Sequence, residues 1–177
     1  MTINILRIVE GTSVDGPGLR TSIYMAGCPH HCEGCHNPQS WGFEAGTPTT
    51  IDNLMHVIAN NEAPVTLTGG DPLAHPVEVL KLVRRIKAEL GYNIWCYTGY
   101  TWEQITHHPQ LTEVVRHVDV VVDSPFVLAL RDTSLRFRGS SNQRVIDVNA
   151  SLSAGHAIEC EQYADVSTTH FHQLRAQ

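Results

Sequence analysis

The stretch "RTSIYMAGCPHHCEGCHNP" (residues 20–38) runs from an apolar segment into three cysteines, Cys28, Cys32 and Cys35, that fall within eight positions. The first eight residues read as a strand closed by glycine, and the cysteines occupy the loop that follows it. A strand that delivers thiols to its carboxyl end is half of a strand–helix unit. The fold therefore turns on whether the rest of the chain repeats that unit.

The repeats are present in order. "TTIDNLMHVIAN" places Ile51, Leu54, Met55 and Ile58 at helical spacing, with Thr49 and Asp52 in a capping-box arrangement. "PVTLTGG" reads as a short buried strand. "VEVLKLVRRIKAELG" reads as a helix with Val79, Val83, Ile86 and Leu90 on one face and Gly91 as its stop. "NIWCYTG" is again strand-like. "TWEQITHHP" opens with Thr101 and Gln104 as a cap and stops at Pro109, and "LTEVVRH" adds a short turn. "VDVVVDSP" supplies a fourth strand and "RVIDV" one more.

Strands alternating with helices predict an α/β fold with parallel strands and right-handed crossovers. At 177 residues the chain is short of the roughly 250 of a complete eightfold barrel. With about five or six strands counted in this way, a partial, open βα barrel is expected. Residues 1–150 form its core domain, and residues 151–177 form a tail packed on or extending it. The cysteine loop, "TGGDP", "YTGY" and "VDSP" each follow an apolar run. In a parallel architecture all four converge at the carboxyl ends of adjacent strands.

Composition narrows the function. A formal charge of −6 with a pI near 6.0 argues against nucleic acid as a partner, which requires clustered Lys and Arg. No apolar run approaches the ~18 residues that span a bilayer, and the amino terminus lacks a secretory pattern, so a cytoplasmic protein is expected. Five cysteines, odd in number with three crowded together, point to metal or redox chemistry rather than a disulfide framework.

Structural zinc takes four protein ligands and catalytic zinc three plus water. His30, His31 and His36 are available as a fourth ligand, although their spacing resembles no ordinary Cys/His finger. A [4Fe–4S] cube is normally held by four thiolates, one per iron, so three leave one iron open. The spacing C-x3-C-x2-C, together with "TGGDP", resembles the radical S-adenosylmethionine superfamily, in which the open iron is chelated by that molecule. Further segments, "VDGPGLRTSIYMAGC", "CHNPQSW", "TGGDPL", "YTGYTWE", "DVVVDSPF" and "RGSSNQRVID", cover residues 14–147. Together they resemble the activating proteins of the anaerobic ribonucleoside-triphosphate reductase. Ser124 stands where that family more often has glycine, and the tail from about Ser151 matches none of its motifs.

The resemblance implies a radical S-adenosylmethionine oxidoreductase, an activase with Cys28, Cys32 and Cys35 as cluster ligands. Its cluster reductively cleaves S-adenosylmethionine, and the resulting radical takes a hydrogen atom from a backbone glycine of the reductase. Gly34, Cys35, His36, Gly69, Gly70 and Asp71 are implied to contact S-adenosylmethionine, the last through its ammonium group, with Thr98, Gly99 and Asp123 as further wall residues. The reductase is the implied protein partner, and a low-potential protein such as flavodoxin the implied electron donor. An activase of another glycyl-radical enzyme and a non-catalytic zinc or iron–sulfur module are the competing readings. Cys96, inside "NIWCY", is expected to be a core thiol, and His107, His108, His170 and His172 are expected to be surface residues. Cys160 can be an exposed or a packed thiol, and Arg20 and residues 138–143 match the family without an assigned task.

Overall fold

The computed structural model describes residues 1–163. A seven-stranded sheet with the order β3-β1-β2-β4-β5-β6-β7 forms its centre. The strands are β1 (Thr2–Thr12), β2 (Arg20–Met25), β3 (Thr47–Thr50), β4 (Val65–Gly69), β5 (Ile94–Tyr97), β6 (Val120–Asp123) and β7 (Arg144–Asp147). Strands β2, β4, β5 and β6 run parallel. Strands β1 and β3 on one side and β7 on the other are antiparallel additions.

The expected α/β fold with parallel strands thus holds for the middle of the sheet, and its flanks correct the expectation. Strand β1 alternates, burying Ile3 and Ile5 between more exposed positions, as a half-covered antiparallel strand does. Strand β3 is four residues, Thr-Pro-Thr-Thr, with no large apolar side chain. Its pairing depends on its edge position, the place where a sheet tolerates proline. Strand β2, by contrast, is buried at all six positions.

The helices are α1 (Ile51–Asn61), α2 (Pro76–Arg85), α3 (Trp102–His107), α4 (Pro109–Val115) and α5 (Val148–Ala154). Helix α1 buries Ile51, Leu54, Met55 and Ile58, the face expected from the spacing. Its cap lies one residue later than expected. Thr50 accepts from the Asn53 N–H at 3.1 Å, while the Thr49 hydroxyl donates to the Thr47 carbonyl inside β3, because pairing with β1 holds Thr49 in the sheet. Helix α2 runs into a wider turn, Ile86–Leu90, that ends at Gly91 in the left-handed region. Thr101 and Gln104 form the reciprocal capping box of α3. Among the described residues no helix is long and apolar enough to cross a membrane.

The period of two along the strands splits the interior. Ile94, Cys96, Val121 and Ile146 face the helices and join the main core, whereas Trp95, Val122 and Val145 point to the opposite face. There Trp95, Phe137 and Tyr163 stack edge-on at 5.3 to 5.5 Å between ring centres, so the chain after α5 returns onto the sheet. Each buried side chain of this size contributes about 2 kcal/mol. Cys96 is fully buried, Cys160 is partly buried, and His107 and His108 are exposed. His170 and His172 lie outside the described residues.

Arg20 closes the amino-terminal end of the parallel strands. It is 2% exposed. Its guanidinium donates to Thr66 Oγ1 at 2.8 Å, to the Val65 carbonyl at 2.7 Å and to Asn93 Oδ1 at 3.0 Å, and it lies over the Trp95 ring. Burial lowers its pKa to about 10, leaving it charged at neutral pH. One cation thus staples the starts of β2, β4 and β5.

Candidate functional site

Because β2, β4, β5 and β6 are parallel, the loops after them emerge at one end of the sheet. They carry the cysteines, Gly69-Gly70-Asp71, Thr98-Gly99 and Asp123-Ser124 in turn. The four motifs singled out in the sequence therefore meet.

Backbone bonds tie down the base of the cysteine loop. Gly27 N–H donates to the Ser40 carbonyl at 2.8 Å, and Cys28 N–H to that of Trp41 at 3.1 Å. Asp71 N–H reaches the Gly27 carbonyl at 2.8 Å, and Gly70 N–H reaches that of Met25 at 2.7 Å. Gly69 has φ +102°, and a Cβ there would run into the Met25 backbone, so the sheet end admits no side chain. A Cβ on Gly70 would likewise meet the Gly27 carbonyl. The glycine pair lets the β4 loop lie directly against the root of the cysteine loop.

Asn37, which the sequence reading passed over, is buried and holds the far side of the loop. Its Nδ2 donates to the Gly69 carbonyl at 3.0 Å and its backbone N–H to Cys35 Sγ at 3.4 Å. The available signal was the Asn37-Pro38 dipeptide, a turn initiator two residues after the third cysteine. Gly34 and His36 are exposed at the outer rim, and a Cβ on Gly34 would lie 2.8 Å from Leu128 Cδ1.

Asp71 is fully buried. Its Oδ2 accepts from His30 Nε2 at 2.6 Å, from Thr98 Oγ1 at 2.9 Å and from Gly99 N–H at 2.9 Å, and its Oδ1 accepts from Leu73 N–H at 2.8 Å. Thr98 is buried within this network. Asp123, also fully buried, accepts from the Trp102 N–H at the start of α3 at 2.8 Å and from Arg144 at 2.5 and 3.1 Å. Beside the loop opens a cavity of about 320 Å³, lined by Pro29, His30, Gly99, Tyr100 and Pro125 among others.

The segment 138–143 clasps the loop after β6. Gln143 Nε2 donates to the Ser124 carbonyl at 3.1 Å, Asn142 Nδ2 to that of Pro125 at 2.8 Å, and Val127 N–H to Ser140 Oγ at 3.2 Å. Ser124 has φ +78°, a conformation that favours glycine.

All five cysteines are free thiols. Burial raises the pKa of Cys28, so a ligand there must displace a proton on binding. Among the described residues no three His, Cys, Asp or Glu side chains gather around one ion. A cube does not ask for such convergence, since each thiolate binds a different iron. Three free thiols on one tethered loop, with a backbone N–H already directed at Cys35 Sγ, fit such a cluster.

Residues 14–146 match the family model of the 4Fe-4S single cluster domain. The anaerobic ribonucleoside-triphosphate reductase-activating protein of Escherichia coli (strain K12) is 41% identical over 142 residues, 75% of this chain and 90% of that protein. The protein of the same name from Enterobacteria phage T4 is 37% identical over 150 residues, 81% of this chain and 93% of its own. Among solved structures, QueE from Escherichia coli aligns with a TM-score of 0.48 at 22% identity, covering 57% of this chain and 54% of that one. With the family model spanning most of the sequence and relatives of this identity matched over nearly their whole length, the chain belongs to the 4Fe-4S single cluster domain family and, within it, to the anaerobic ribonucleoside-triphosphate reductase-activating proteins.

Proposed function

We propose that Cys28, Cys32 and Cys35 hold a [4Fe–4S] cluster whose fourth iron is left open for S-adenosylmethionine, and that the chain uses this pair to generate a glycyl radical on anaerobic ribonucleoside-triphosphate reductase. The observation that carries the reading is the meeting of the three-cysteine loop with the ends of β4 and β5, through the Gly27–Asp71 backbone bond and the Asp71 network. When bound, the cluster and S-adenosylmethionine supply a reductive cleavage of the sulfonium and an adenosyl radical able to take a hydrogen atom.

The protein's part is to hold and exclude. Gly69 and Gly70 seat the end of β4 directly against the root of the cysteine loop, so that their backbone lies beside the bound S-adenosylmethionine. Gly34 and His36 form the outer rim beside Cys35. Thr98 and Gly99 make the wall on the β5 side, and Asp123 stands behind it, fixing the first turn of α3. The strands curl into an open barrel whose mouth admits a polypeptide loop of the partner. The chain works in the cytoplasm with a low-potential electron donor protein, flavodoxin being one such class, and the tail that begins at residue 151 extends the core domain of residues 1–150, its residues 164–177 lying outside the described ones.

Anaerobic incubation of the iron-loaded protein with reductant, S-adenosylmethionine and the reductase should produce the paramagnetic resonance signal of a glycyl radical on the reductase, with 5′-deoxyadenosine released. Nucleoside release with the signal only on a different glycyl-radical enzyme would move the partner. One zinc per chain and no nucleoside would reject the reading.

A further inference from the structure

We propose that His30 is a positioning residue that pins the cysteine loop to Asp71, so that the loop and the Thr98-Gly99 wall move as one body. The inference rests on the reading of this loop as the cluster holder.

His30 lies between Cys28 and Cys32, and its ring sits in the notch between the ends of β4 and β5. Nε2 donates to Asp71 Oδ2 at 2.6 Å, with the two side chains 17% and 1% exposed. The ring packs edge-on against Tyr100, with centroids 4.7 Å apart at 79°. It also fills the space that a side chain on residue 99 would need, since a Cβ on Gly99 would lie 2.6 Å from His30 Cγ. Gly99 is thus a socket and His30 the peg.

Asp71 is the hub of this contact. Asp71 receives four donors, His30, Thr98 and the Gly99 N–H on Oδ2 and the Leu73 N–H on Oδ1. Two of them belong to the β5 loop, one to its own turn and one to the cysteine loop. Through Oδ2, Asp71 thus joins the cysteine loop to the β5 loop.

The loop does not need His30 in order to form. Its base is held by the backbone bonds of Gly27 and Cys28, and its far side by Asn37. What His30 adds is the orientation of the loop relative to the wall, which sets the distance across which a ligand must bridge the open iron and the strand ends. Outer-shell contacts of this kind commonly change metal-site function about 10- to 100-fold.

The test uses the cluster-loaded protein, with iron content and the paramagnetic resonance spectrum of the reduced cluster titrated with S-adenosylmethionine as readouts. His30→Ala should keep the iron content of the parent chain while raising the half-saturating concentration about 10- to 100-fold. His30→Gln, whose Nε2 can reach the same carboxylate oxygen, should recover most of that loss. Gly99→Ala should weaken binding with His30 intact, by blocking the socket. An unshifted titration in His30→Ala, or a His30→Gln variant as weak as His30→Ala, overturns the proposal. Loss of iron in His30→Ala also overturns it, because the residue would then be needed to form the loop. If the parent chain itself shows no spectral response, the cluster reading fails and takes the tether with it. A response in the parent that His30→Ala retains unchanged defeats the tether alone.

Discussion

The two ends of the parallel strands each carry a buried charge, and the two charges are put to opposite uses. At the amino-terminal end Arg20 spends its donors on Thr66, Val65 and Asn93, atoms of strands or their immediate flanks. At the carboxyl end Asp71 collects donors from loops. The first network locks strands that already pair. The second holds together segments that no sheet ladder joins, and beside it lie three free thiols. Left-handed backbone at non-glycine residues occurs at both ends, at Glu62 just before β4 and at His31 and Ser124 in the loops of the carboxyl end. One pole fixes the sheet, and the other sets the geometry between loops.

The largest effect expected of a break in this contrast is chemical and confined to one pole. Cys32→Ser should reduce 5′-deoxyadenosine formation at least about 100-fold, while the melting of the chain shifts by less than about 0.5 kcal/mol, since the loop lies outside the core. Thermal melts of the cluster-free chains and product assays on the loaded ones decide it, and a large melting shift between the cluster-free chains would erase the division between the poles. Arg20→Met should act in the opposite sense. It leaves Thr66, Val65 and Asn93 without their donor and costs about 3 kcal/mol, or about 10 °C in melting temperature for a chain of this length, with S-adenosylmethionine affinity per folded molecule unchanged. The smallest effect is at Ser124. Ser124→Gly relieves a left-handed residue and should raise stability by up to about 1 kcal/mol, detectable as a shift of about 2 to 4 °C. A loss of stability there would mean that the serine hydroxyl, 3.2 Å from Asp123 Oδ1, outweighs the strain.

Much of the site was legible because it follows strands whose apolar runs are unmistakable. The cysteine spacing, Gly69-Gly70-Asp71 and Thr98-Gly99 could each be placed at a strand end, and a parallel centre does the rest. Ser124 was visible as a departure from glycine, and its φ of +78° supplies the physical cost of that departure. The outer strands were harder to read. Strand β1 has only Ile3 and Ile5 buried in its first half, and β3 has no apolar pattern at all, so each exists because of the partner it pairs with. The same pairing moved the cap of α1 from Thr49 to Thr50. His30 was legible as a residue that can bind something, but its direction depends on where β4 and β5 end relative to β2. Spacing along one chain carries no such information about three strands.

The enclosure of β2 has a consequence for handling the protein. All six of its residues are hidden, and the register with β1, from Ile5 opposite Met25 to Thr12 opposite Arg20, covers one whole flank. Trimming the first dozen residues would turn this most secluded strand into an open edge, with unpaired amides and Ile23 and Met25 near the rim. Such an edge invites self-association. A tag or deletion at the amino terminus therefore bears on solubility well before it bears on the thiols that the strand delivers.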